Sequence, residues 1–130
     1  MLVLIVALLL LGLDKCTALD NGMANTPPMG WRSWNCFHGE VTDAQIRSVI
    51  VAMSTSNRLV DGKATSLLDL GYEHVGVDDG WQACFQGRAI NGSQKSFHAM
   101  NGIPLVNVSK FPNLTDMVAY GHSKQIKMGW

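Results

Sequence analysis

Two neighbouring acids, Asp78 and Asp79, close the most strand-like stretch of this 130-residue sequence, Tyr72-Glu73-His74-Val75-Gly76-Val77. Barrel and open α/β folds gather their ligand groups at the C-terminal ends of parallel strands, the place these acids would take. As the acid and nucleophile of a retaining glycosidase they fit poorly. Such a pair stands about 5–5.5 Å apart across the scissile bond, whereas neighbours along a strand point to opposite faces. Hydroxyl recognition suits them better, because each carboxylate accepts hydrogen bonds from vicinal hydroxyls. A solvated turn with a helix-capping Asp is the reading of Asp78-Asp79-Gly80 that pattern alone prefers. Trp31, Trp34 and Trp81 are the second set of candidates, since tryptophans near strand ends stack on the apolar face of a pyranose. Packing under loops is preferred for Trp31 and Trp81, while Trp34 stays open between the two roles.

Other chemistries find less support. His38, His74, His98 and His122 have no metal-ligand spacing with one another or with the cysteines, so no metal is expected. There is neither a glycine-rich phosphate loop nor a nucleophile elbow, and no cofactor is expected. His74 is expected in the core or against a helix, and His122 in a helix's last turn. The net charge is zero and no window is strongly basic, which argues against a nucleic-acid partner.

Leu2 to Leu13 is apolar apart from Gly12 and too short to span a bilayer, which takes about 20 residues. Cys16-Thr17-Ala18 follows as a cleavage-site pattern, so residues 1–18 are expected to be a signal peptide. That implies export, with no membrane association of the mature chain. Cys36 and Cys84 then remain, and an oxidising compartment would permit them to pair. Three sequons, at Asn91, Asn107 and Asn113, are candidate glycosylation sites, Asn113 doubling as a candidate helix cap.

These residues must be positioned by a short list of elements. Thr26-Pro27-Pro28 leads into a candidate strand, Met29 to Trp34, followed by a loop over Cys36 to Glu40. Thr42-Asp43-Ala44-Gln45 forms a capping box, and Ile46, Val49, Ile50 and Met53 follow at helical spacing. Asp61-Gly62 marks a turn, and Thr65 to Leu70 predicts a second helical stretch stopped by Gly71. Trp81 to Pro112 reads as a long, ordered loop. Asn113 to Lys124 predicts a helix with Met117, Val118 and Gly121 inward, and Gln125 to Trp130 a further strand. Strand, helix, strand, loop, helix, strand argues for α/β architecture with parallel βαβ units. A closed (β/α)8 barrel takes around 250 residues and a doubly wound sheet usually more than three strands, so three strands would supply only part of either.

Leu19-Asp20-Asn21-Gly22-Met23-Ala24, Thr26-Pro27-Pro28-Met29-Gly30-Trp31 and Ser33-Trp34-Asn35 together resemble the opening of family 27 glycoside hydrolases. These are the α-galactosidases (melibiases) and α-N-acetylgalactosaminidases. The resemblance continues through Leu70-Gly71-Tyr72, Val77-Asp78-Asp79-Gly80-Trp81, Phe111-Pro112 and Gly121-His122-Ser123-Lys124. It implies that residues 19–130 form the N-terminal part of a (β/α)8 TIM barrel. It further implies that Trp34, Asp78 and Asp79 hold a terminal α-linked galactose. Family members retain configuration with two aspartates, after the fourth and sixth strands. Neither is matched here, so no catalytic residue is assigned and the chain alone is expected to be inactive. A non-catalytic secreted carbohydrate-binding product of the same family is the alternative. Many members pair a cysteine after the first strand with one directly after the two acids. Gly80 stands at that second position, which leaves Cys36 to meet Cys84, or Cys84 to find another partner. The family is often homodimeric and is found outside the cell or in lysosomes and vacuoles.

Overall fold

The computed structural model describes residues 22, 25–86, 89–91 and 94–130. The expected signal peptide, residues 1–18, lies outside the described residues, as do Gly92 and Ser93 of the first sequon.

In chain order the elements begin with strand β1 (Gly30–Arg32), a single helical turn α1 (Trp34–Phe37) and a 3₁₀ turn (His38–Glu40). Helix α2 (Asp43–Ser54) precedes a hairpin of β2 (Arg58–Val60) and β3 (Lys63–Thr65), then a 3₁₀ turn (Leu68–Leu70). Strand β4 (His74–Gly76) is followed by a small hairpin of β5 (Ala89–Asn91) and β6 (Gln94–Lys95). Helix α3 (Leu114–Ser123) and strand β7 (Lys127–Gly129) complete the set.

Strands β1, β4 and β7 form one parallel sheet with β4 in the middle. Its rows are Gly30–His74–Lys127, Trp31–Val75–Met128 and Arg32–Gly76–Gly129. Successive residues of a strand face opposite ways. The middle row faces helices α2 and α3: Val75 is fully buried, and Trp31 and Met128 pack against the same core. That core joins Ile46, Ile50 and Met53 of α2 to Met117 of α3, with Val41, Val77, Phe111 and Ile126. Van der Waals contact is close enough that a Cβ on Gly121 of α3 would lie 2.7 Å from the Met128 Sδ. The other two rows face away from the helices. A groove of about 380 Å³ on that side is lined by Gly30, Arg32, His74, Gly76, Lys127 and Trp130 among others.

Local chemistry explains the helix starts. The Thr42 hydroxyl accepts from the Gln45 N–H while the Gln45 side chain accepts from the Thr42 N–H at 2.8 Å, the expected capping box. Asn113 caps α3 by accepting from the Asp116 N–H at 3.0 Å. Arg47 fastens the two helices together, donating to Asp43 at 2.8 Å and Asp116 at 2.6 Å beneath the Tyr120 ring.

Several expected elements take other forms. Thr65 to Leu70 is not a helix. Asp61 and Gly62 both adopt positive φ, 50° and 77°, which suits a tight hairpin turn and folds Lys63–Thr65 back onto Arg58–Val60. Only residues 66–70 then remain, room for one 3₁₀ turn. There the Ser66 N–H and hydroxyl both donate to Asp69, at 2.8 and 2.7 Å. The first strand is shorter than expected, because Ser33 already turns into α1. Residues 36–40 are turns of helix rather than open loop. His74 sits on the helix-free face, its Nδ1 3.2 Å from the Met29 carbonyl, and not in the core. The alternation set by Val75 and Val77, both buried, requires this.

Candidate functional site

Asp78 and Asp79 follow the C-terminal end of β4, the central strand. Their neighbour is the end of β1. The Ser33 N–H donates to the Gly76 carbonyl at 3.0 Å, and the Ser33 hydroxyl accepts from the Asp78 N–H at 2.8 Å. Ser33 is fully buried. It therefore clamps the two strand ends together and brings Trp34, the next residue, to the same end of the sheet as the acids. Trp34 is 42% exposed and stands edge-on to the His38 ring at 5.4 Å. An indole half free of packing is one available for stacking.

The two acids are held differently. One Asp78 oxygen, Oδ1, accepts from the Asp79 N–H at 2.8 Å, and the other, Oδ2, accepts from Arg32 Nε at 2.5 Å. The Asp79 N–H, and then the Arg32 guanidinium, hold the Asp78 carboxyl below its ordinary value. Asp79 accepts only from the Gly80 N–H, at 2.8 Å through Oδ1. Asp79 is exposed, with its second oxygen unengaged among the described residues.

The loops behind these residues meet without a covalent link. Gly80 has φ of 100° and approaches Gly39 so closely that a Cβ would fall 2.4 Å from its carbonyl oxygen. Lys110 secures the same carbonyl, donating to it at 2.6 Å and pairing with Glu40 at 3.4 Å. The suggested Cys36–Cys84 disulfide is not formed; both thiols are free and exposed. Trp31 and Trp81 pack against the core, Trp31 edge-on to Phe37 and Trp81 tilted against Trp130. Asn107 Oδ1 accepts from the Ser109 hydroxyl at 2.6 Å, and Asn113 uses its side chain as a cap.

Sequence reasoning missed Arg32, Ser33 and Lys110. Arg32 and Ser33 follow from the parallel register, which sets the end of β1 beside the end of β4. Lys110, 71 residues from Gly39, carries no local signal.

Two helices laid on one face of a parallel sheet, with acids and an exposed tryptophan at its C-terminal end, are the arrangement of parallel βαβ units. No protein-family model matches the chain. The α-galactosidase of Cyamopsis tetragonoloba is 32% identical over 111 residues, 85% of this chain and 22% of its own length. Alpha-galactosidase 3 of Arabidopsis thaliana is 33% identical over 112 residues, again 85% of this chain and 21% of the relative. Among solved structures, α-galactosidase I from Mortierella vinacea superposes with a TM-score of 0.62 at 29% identity. That match covers 85% of this chain and 23% of the enzyme. The Saccharomyces cerevisiae α-galactosidase, TM-score 0.64 at 23% identity, covers 87% and 20% and supports the fold. The chain is thus homologous over most of its length to family 27 α-galactosidases, TIM-barrel proteins of which it matches only a part. It spans about a fifth to a quarter of the length of the curated relatives it matches.

Proposed function

We propose that this chain contributes the sugar-holding part of a glycoside hydrolase acting on terminal α-linked galactose. The observation that carries the reading is the joint placement of Trp34, Asp78 and Asp79 by Ser33 at one end of a sheet shared with α-galactosidases. Trp34 stacks on the apolar face of the pyranose ring. Asp79 accepts vicinal hydroxyls through its open oxygen, and Asp78 through lone pairs left over from its two bonds. Both acids hold the sugar rather than attack it, because adjacent residues of one chain segment do not flank a scissile bond. The chain follows the secretory route, to the exterior or to a lysosome or vacuole, on the strength of residues 1–18.

Titration of the full chain with D-galactose, followed by calorimetry, tests the site. Saturable binding is expected, weakened about tenfold by Asp79→Asn, the range for a hydrogen bond to a charged group. D-glucose, which differs at one hydroxyl, is expected to bind more weakly. Equal affinity of wild type and Asp79→Asn would remove the proposed role.

A further inference from the structure

We propose that Arg32 is a positioning residue of the sugar site, one that orients the Asp78 carboxylate presented to the ligand's hydroxyls. The inference rests on the sugar-holding reading of Asp78. It starts from register. Arg32 pairs with Gly76 across the β1–β4 ladder, and Asp78 lies two residues beyond Gly76. Residues two apart on a strand share a face, and such a diagonal neighbour is within reach of a long side chain.

Gly76 makes the reach possible. A Cβ at that position would stand 2.8 Å from Arg32 Nη1 and 3.4 Å from its Cγ. With none there, the Arg32 side chain lies flat across β4 and delivers Nε to Asp78 Oδ2 at 2.5 Å. Two neighbouring residues supply the remaining restraints. Asp79 N–H holds Oδ1 at 2.8 Å, and Ser33 Oγ holds the Asp78 N–H at 2.8 Å. Two contacts therefore hold the carboxylate itself and a third holds its backbone, and each oxygen keeps a lone pair for a hydroxyl. Arg32 is the only one of these groups carrying charge.

Its guanidinium stays well exposed, 57% for the side chain, so its replacement leaves the core untouched. Held ionised by its donors, Asp78 accepts hydroxyls; once protonated, it must give up part of that capacity. A positioning role therefore couples Arg32 to the pH dependence of sugar binding, which a purely structural ion pair would not do.

The test uses the full chain as wild type, Arg32→Met and Arg32→Lys. Two readouts are followed with pH: D-galactose affinity, and the Asp78 carboxyl carbon by NMR without sugar. In Arg32→Met the Asp78 titration and the acid limb of galactose binding are both expected to move to higher pH. Affinity falls roughly two- to tenfold, the range of one hydrogen bond, and Arg32→Lys restores part of both. If wild type binds galactose and Arg32→Met leaves both readouts unmoved, the Arg32 assignment alone falls. A loss of affinity equal at every pH, with Asp78 titrating as before, also overturns it. Absence of galactose binding by folded wild type overturns the sugar-holding reading itself, whatever Asp78 does in the NMR titration.

Discussion

Among the described residues, three carboxylates are held below their ordinary values by hydrogen-bond donors beside them. Asp69 is held first by the Ser66 N–H and then by its hydroxyl, Glu73 by Lys127, and Asp78 by the Asp79 N–H and Arg32. A depressed carboxyl stabilises the fold above its unfolded value, and that contribution is lost as pH falls through the folded value. All three act in the same direction. Thermal midpoints followed from neutral pH to about pH 2 are expected to fall below the ordinary carboxylate range. Asp69 is exposed and Glu73 and Asp78 are half-buried at the surface, so the contribution of each is small and sensitive to salt. Combining Asp69→Asn, Glu73→Gln and Asp78→Asn is expected to lower the midpoint at neutral pH and flatten the acid limb. An acid limb of unchanged steepness in the triple variant would show that other groups set it.

At the scale of elements, the sequence disclosed what local chemistry determines. The capping box at Thr42 and Gln45 and the Asn113 cap placed the starts of α2 and α3, and the apolar spacing chose Ile46, Ile50, Met53 and Met117 for the core. Val75 and Val77 gave away β4. The β2–β3 hairpin was illegible because Arg58-Leu59-Val60 and Lys63-Ala64-Thr65 remain almost wholly exposed and carry no buried alternation. Arg32's role was hidden for another reason: it depends on register between segments more than 40 residues apart. Register in turn rests on a feature that a sequence shows only as one more glycine. A Cβ on Gly30 would lie 2.1 Å from the His74 carbonyl oxygen, whereas one on Gly129 of β7 would meet nothing within 4 Å. Gly30→Ala is therefore expected to push β1 off β4 and destabilise the chain by about 2–4 kcal/mol. Gly129→Ala should cost within about 0.5 kcal/mol. Urea midpoints compare them, and equal midpoints would remove the close approach as the restraint on β1.

The whole molecule is asymmetric about its sheet. Helices α2 and α3 cover one face, and among the described residues no helix covers the other. Parallel sheets are ordinarily buried on both faces. Here the bare face holds a groove bordered by Trp130, 55% exposed, and by the backbone of three glycines. Strands β1 and β7 each keep an outer edge without a ladder partner among the described residues. Unpaired edges beside exposed apolar surface favour pairing with another chain. This chain, purified by itself, is therefore expected to self-associate, with weight-average sedimentation coefficients that rise with concentration. Arg32 and Lys127 also stand on the bare face, and they distinguish two causes. Association through their charges would be dispersed by about 1 M salt, where screening acts within about 3 Å. Association through edges and apolar surface would persist there, and that is the outcome expected. A single monomeric species at every concentration, melting cooperatively, would mean that the bare face is stable in water as it stands.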